Sequence, residues 1–323
     1  MLRATVRDCL YLNWALPAAV LPEPPAPLRY QLHPWQGEDY TFVSALLFYQ
    51  EGLHVPSVPL LWLTYPQCNV RFYVLDGNGI PSVLFRTMMM PAWVASGIRL
   101  VMREPAASAR LDFPRPSRKL GEGRWHWRVE RAASRARSCP ESSLEVTAWQ
   151  GSPQVGYGPR VGSWEQTVEY FQERPRGYLP DGGELRKIDA IHPPAAAWPL
   201  QAEVGEADLL SALLPLGDGA RWPALHSVFL CPEIPFAFEL GTVARPQVVP
   251  GVPQAAASRS AARRRLPHYR APIGEPIGAP MLRDGAESAR FEERLREAAA
   301  ARERRGAVEV EDDAAAVEIA VGA

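Results

Sequence analysis

Asn69-Val70-Arg71-Phe72-Tyr73-Val74-Leu75, the quartet Asp76-Gly77-Asn78-Gly79, and Val83-Leu84-Phe85-Arg86 together decide how the chain folds. Two runs of aromatic and β-branched residues flank a set of turn formers, which predicts two antiparallel strands joined by a tight turn. On the first strand Asn69, Arg71 and Tyr73 share one face, and Val70, Phe72 and Val74 share the other. Two readings of the polar face stay open. A guanidinium between an amide and a phenol can receive a carboxylate through two parallel hydrogen bonds. Alternatively, the polar face meets solvent over one buried face. If the strands pair around the quartet, Arg86 stands near Arg71. Two such charges need an anion if they face a cavity and nothing if they face water.

Outward from this hairpin, strand signals continue. Trp125, Trp127 and Val129 alternate with Arg124, His126, Arg128 and Glu130, the period-2 pattern of a half-buried strand. Leu144–Trp149 and Ser227–Cys231 read as further strands. Helices are few. Ser163 and Gln166 form a capping box, with Trp164, Val168 and Phe171 on one face and Pro175 as the stop. Short helices are also expected over Glu206–Leu214 and Pro91–Met102. Prolines at 22, 24, 25, 27, 56, 59 and 66 are expected in loops, at edges or at strand starts, because a central strand needs the donor they lack. With no βαβ alternation, the expected class is α+β: a curved antiparallel sheet or β-barrel with a few flanking helices.

Composition narrows the function. Of 323 residues, 47% are hydrophobic and 22% charged, ordinary values for a globular chain. Thirty-five basic against 36 acidic residues give a net charge of −1, which argues against a dedicated nucleic-acid binder. Four cysteines, at 9, 68, 139 and 231, are too far apart for a zinc knuckle or a redox dithiol, so free thiols are expected. The six histidines are dispersed, and no glycine-rich phosphate loop or Gly-x-Ser-x-Gly occurs; no metal and no cofactor are expected. Asp8 and Asn13 interrupt the apolar N-terminal stretch, and the run Met88–Met102, which contains Arg99, is too short to span a bilayer. The expectation is a cytoplasmic protein without a membrane anchor.

Composition shifts near residue 241. Residues 241–280 are rich in Pro, Ala and Ser and contain the basic triplet Arg263–Arg265; they cannot bury enough apolar surface to offset ordering and are expected to be a disordered linker. Asp284 and Glu287 open a charged helix running to Arg305, and residues 309–313 are acidic. The expected division is therefore a domain over 1–240, a linker over 241–280 and a charged tail over 281–323.

Five separated strings, in order, carry a resemblance: Leu12-Asn13-Trp14; Tyr65-Pro66-Gln67-Cys68-Asn69-Val70-Arg71-Phe72-Tyr73-Val74; Gly79-Ile80-Pro81-Ser82-Val83-Leu84-Phe85; Tyr178 to Leu185; and His192-Pro193-Pro194 to Trp198-Pro199-Leu200. Over roughly residues 1–240 the chain resembles the uncharacterised YqjF-like family, itself similar to the acetoacetate decarboxylase superfamily. The resemblance implies a cone-like β-barrel with an interior cavity. The decarboxylase mechanism needs a buried lysine that forms a Schiff base. The comparable place here, Arg103 to Arg110, has no lysine; Lys119 and Lys187, the two lysines of the chain, read as surface positions. Arginine stays protonated and cannot replace it. Three functions remain: a barrel that binds a small organic acid or ketone through Asn69, Arg71, Tyr73, Arg86 and His192; an enzyme using His192 or Glu104 for proton transfer; and an interaction protein acting through its tail.

Overall fold

The computed structural model describes residues 2–54, 62–102, 106–116, 123–131, 141–181, 184–214 and 222–244. Fourteen strands and three helices succeed one another along them. They are β1 (Leu2–Pro17), β2 (Arg29–Tyr30), β3 (His33–Trp35), β4 (Glu38–His54), β5 (Leu63–Leu75), β6 (Pro81–Met90), α1 (Ala92–Met102), β7 (Ala106–Ser108), β8 (Arg110–Asp112) and β9 (Arg124–Arg131). After these come β10 (Ser142–Gln150), α2 (Trp164–Gln172), β11 (Arg176–Asp181), β12 (Glu184–Ile191), β13 (Trp198–Val204), α3 (Asp208–Leu213) and β14 (Ser227–Ala244). Strands dominate and helices are few, as the pattern of short aromatic and β-branched runs predicts.

The hairpin lies where the sequence puts it. Phe72 opposes Leu84, Tyr73 opposes Val83, and Leu75 opposes Pro81. Gly79 takes the left-handed conformation (φ 78°) that only a residue without Cβ adopts freely. The buried carboxylate of Asp76 closes the loop by accepting from the backbone N–H of Asn78 (2.8 Å) and of Ile80 (3.0 Å).

From this hairpin the sheet extends in order β1-β4-β5-β6-β11-β12-β14-β13-β10-β9-β8, and β14 also pairs with β1. The pairings β1–β4–β5–β6–β11–β12–β14 thus return to their starting strand. β1 sits between β4 and β14, and both its faces are buried, which explains why Cys9–Leu16 is apolar on both faces apart from Asn13. Leu10, Leu12 and Trp14 of β1 and Val70 and Phe72 of β5 share a core with Trp127, Val129 and Val146 and with Leu209 and Leu210 of α3. The alternate residues Cys9, Tyr11, Phe42 and Tyr73 pack against Phe171 of α2. A third cluster joins Met88 and Met90 to Val94 and Ala95 of α1.

The capping box is formed: the Ser163 side chain accepts from the Gln166 backbone, and the Gln166 side chain reaches back to the Ser163 N–H (2.8 Å). Burial on β9 follows the expected alternation.

Three details differ from the sequence expectation. The sheet is not wholly antiparallel: β6 runs parallel to β7 and to β11, so β6-α1-β7 is a small βαβ unit. Its second strand, Ala106-Ala107-Ser108, has no strand-forming side chain and is extended by its register with Met88–Met90. Prolines also enter strands flanked on both sides elsewhere along their length. Pro66 opposes Tyr49, but the pairing of β5 with β6 begins only at Cys68. Pro235 opposes Thr5 of β1, while the other edge of β14 is engaged by β13 at Phe229 and Leu230 and by β12 from Ala237. Each proline occupies a local gap where no donor is required. Finally, β14 continues to Ala244, past the expected boundary at 240. Pro56, Pro59, Cys139, Lys119 and the rest of the expected linker and tail lie outside the described residues.

Candidate functional site

Both faces of β5 are covered, so the solvent-facing reading of Asn69, Arg71 and Tyr73 is excluded: they are 8%, 8% and 0% exposed. Strand periodicity alone aims all three the same way. Asn69 accepts a hydrogen bond from Gln67 Nε2 (2.7 Å). Arg71 Nη2 donates to the Phe171 carbonyl (2.8 Å) and the Tyr73 hydroxyl (3.2 Å), and its guanidinium lies over the Tyr11 ring. Its Nε has no partner.

A second buried guanidinium joins it. Arg174, 5% exposed, follows α2 directly, where the chain turns before Pro175. It stacks on Tyr170 (4.1 Å to the ring centre) and Tyr73 (4.9 Å), and its Nε and Nη2 have no hydrogen-bond acceptor. Neither arginine forms an ion pair with a carboxylate among the described residues. Burial pulls the Arg174 pKa down, and the nearby Arg71 adds to that against the opposing tyrosines. On Arg71 burial acts in the same direction, but Tyr73 and Tyr11 reverse it. The described thiols nearby are not ready nucleophiles. Burial pushes the Cys231 thiol up to about 12, and burial, reinforced by Cys231, raises Cys9 well above the ordinary thiol range. Cys9 and Cys231 oppose each other across β1 and β14.

A chain of side chains holds Arg71 in place. The Tyr73 hydroxyl shares a hydrogen bond with Ser44 Oγ (2.9 Å), Ser44 donates to Asn13 Oδ1 (2.5 Å), and Asn13 Nδ2 donates to Ser227 Oγ (3.0 Å). Ser227 Oγ in turn meets His226 Nδ1 (3.2 Å). Burial lowers the His226 pKa to about 4, with His33 adding to it and the Pro159 carbonyl opposing, so the ring is neutral near pH 7. His226 and Ser227 also line a cavity of about 1030 Å³ beside Trp14, Trp149 and Trp222. Among its described lining residues none is a lysine or arginine; Asp208 is the charged one. That cavity offers an acid no cation.

Arg86 does not join Arg71. A bulge shifts the register from Val70–Thr87 to Arg71–Phe85 and skips Arg86, which is exposed and donates from Nε to the Leu213 carbonyl at the end of α3 (2.9 Å). His192 lies at the end of β12, half-buried, stacked on Phe236 and within 3.2 Å of the Pro193 carbonyl. No contact links it to Arg71. Lys187 is partly exposed and paired with Asp189 (2.8 Å). Among the described residues no three His, Cys, Asp or Glu side chains converge to hold a metal ion, and no helix is long and apolar enough to cross a membrane.

Comparison with known proteins adds the lineage. The family DUF2071, described as an uncharacterized conserved protein, matches residues 3–234. The chain belongs to this family. The match runs from β1 into the first part of β14, ending at Ile234, and takes in Arg71, Arg174 and the chain from Asn13 to His226. No curated protein matches. Among solved structures, the enduracididine biosynthesis enzyme MppR with HEPES buffer bound is similar at TM-score 0.45 and 11% identity, covering 74% of this chain and 87% of that one. Its complex with pyruvate gives TM-score 0.45 and 10% identity, covering 74% and 90%. An acetoacetate decarboxylase-like enzyme from Sphingomonas wittichii RW1 gives TM-score 0.41 and 15% identity, covering 76% and 92%.

Proposed function

We propose that this member of the family binds a small organic acid or keto acid inside a barrel formed by the closed run of strand pairings, and that it does so without Schiff-base chemistry. One observation carries the reading. Arg71 is buried with a free Nε–H and, among the described residues, no carboxylate paired with it. A buried charge without a counter-charge, and a buried donor without an acceptor, are each destabilising in an apolar interior. An acid satisfies both needs. Neutral thiols and phenols around the guanidinium favour retention of a ligand over reaction with it, and the described lysine, Lys187, is tied to Asp189.

The test is calorimetric titration of the full chain with a panel of small carboxylic acids, beside native mass spectrometry of protein purified from its own host. Acids are expected to bind, and Arg71→Met to remove the binding while the protein stays folded. A panel without any binder, on protein that carries no retained anion, overturns the proposal. Borohydride treatment with acetoacetate is expected to leave the mass unchanged; an adduct on Lys119 or Lys187 would restore Schiff-base chemistry.

A further inference from the structure

Arg174 asks for more than one negative charge. Arg71 and Arg174 lie on opposite sides of the same requirement: both are buried, both lack a described carboxylate, and both guanidinium carbons are close to the ring centre of Tyr73, at 5.4 and 4.9 Å. They are therefore no more than about 10 Å apart. The empty donors differ in kind. On Arg71 the buried donor without a partner is Nε, while Nη2 is held by Phe171 and Tyr73. On Arg174 the free donors are Nε and Nη2 together. Those two N–H groups form the side-on edge of the guanidinium, parallel and spaced to match the two oxygens of a carboxylate. A monoacid seated at Arg71 would leave this fork and its charge unanswered.

We infer that the ligand is a small dicarboxylate, one carboxylate on Arg71 and the other on the side-on edge of Arg174. This rests on the acid-binding reading above and narrows it. Two monoanionic ends neutralise the two guanidiniums that otherwise repel each other, and the Tyr73 ring beside both, with the Tyr11 ring beside Arg71, suits a short apolar connecting chain. An oxygen-rich tetrahedral anion could also meet both charges, but it would have to reach both guanidiniums with one centre. A diacid reaches each with its own planar fork.

The test compares succinate with butyrate, which share a four-carbon chain and differ in one carboxylate, and includes inorganic phosphate as a third probe. All are titrated into the full chain by calorimetry. Succinate is expected to bind about 10- to 100-fold more tightly than butyrate, the ratio that one charge-assisted fork supplies. Arg174→Met is expected to bring succinate down to the level of butyrate, Arg71→Met to weaken both acids, and Arg174→Lys, which keeps the charge without the fork, to recover part of the ratio. Equal binding of succinate and butyrate overturns the diacid while leaving the acid reading intact. Absence of succinate binding overturns the diacid, and failure of the whole panel above, on protein without a retained anion, overturns the acid reading as well. Phosphate binding more tightly than succinate overturns the carboxylate class. Should the substitutions unfold the protein, the wild-type ratio decides alone.

Discussion

Arg174 and Arg176 are two residues apart and are treated in opposite ways. Arg176 is met by two acids: its Nη1 donates to Asp76 Oδ2 (2.5 Å), and its Nε lies 3.6 Å from Asp189. Asp76 also accepts from Tyr178 (3.2 Å), so the hairpin loop, β11 and β12 are tied through one buried carboxylate. Arg174 is more deeply buried, and its partners are the Tyr170 and Tyr73 side chains, with no carboxylate among the described residues. The first arrangement spends its charges on holding strands together. The second leaves donors open in a place that folding gains nothing from leaving open. A buried arginine with its acid is structural; one without it marks where a ligand's acid belongs.

The sharpest way to break the contrast is Asp76→Ala. It strips four donors of their acceptor and leaves Arg176 with a single distant acid, so unfolding free energy should fall by about 3–5 kcal/mol in a denaturant titration. A loss below about 1 kcal/mol would mean that Arg176 is no better paired than Arg174. The pH dependence has a fixed sign. Burial alone would raise the Asp76 pKa, but hydrogen bonds from Ile80, Arg176 and Asn78 outweigh it and hold the carboxyl below its ordinary value. A depressed acid contributes stability above its unfolded pKa and loses it as pH falls through the folded one, so this contribution disappears on the acid side of 3.8 and is absent in the variant.

Next in size is His226, at the far end of the hydrogen-bonded chain that holds Arg71. Its pKa falls from 6.5 in the unfolded chain to about 4 when folded. Between those values the unfolded chain takes up a proton that the folded one refuses, so stability should decline by roughly 3 kcal/mol as pH drops through that window. His226→Gln should flatten the decline, measured as unfolding midpoints across the window. A smaller effect of opposite sign separates the two arginines. Arg174→Met replaces an unanswered buried charge with an apolar chain of similar length, and in the absence of ligand should stabilise the protein by about 1–2 kcal/mol. Arg176→Met should destabilise it. Destabilisation by both would make Arg174 structural.

The contrast also shows what a sequence discloses. The hairpin, the capped helix α2 and the alternation on β9 follow from spacing alone, because turn chemistry and periodicity act locally. The shared face of Asn69, Arg71 and Tyr73 was legible for the same reason. Whether that face was wet or dry was not, since the answer depends on α2 arriving 100 residues later to place the Phe171 carbonyl on Arg71. Arg86 was misplaced by one bulge, which reverses a face without leaving a mark in composition. Arg174 was passed over because the residues around it read only as the end of a helix. Asn13 lay inside a quoted string, yet its partners Ser44 and Ser227 come from strands far away in sequence.

The smallest effect bears most directly on the unanswered charge. His33 lies beside Tyr170, its Nε2 3.0 Å from the phenol oxygen, and Arg174 stacks on that same ring. Burial lowers the His33 pKa, and the Arg174 charge lowers it further. Removing the charge by Arg174→Met should therefore raise the His33 pKa toward its ordinary value, and so should neutralising the charge with a bound carboxylate. Both shifts can be read from the imidazole C–H resonance in an NMR titration. Succinate should reproduce the upward shift in the wild type and produce none in the variant. Butyrate, seated at Arg71 alone, should leave His33 nearly where it was. An equal response to both acids would place the single carboxylate on Arg174 and remove the reason for a second one.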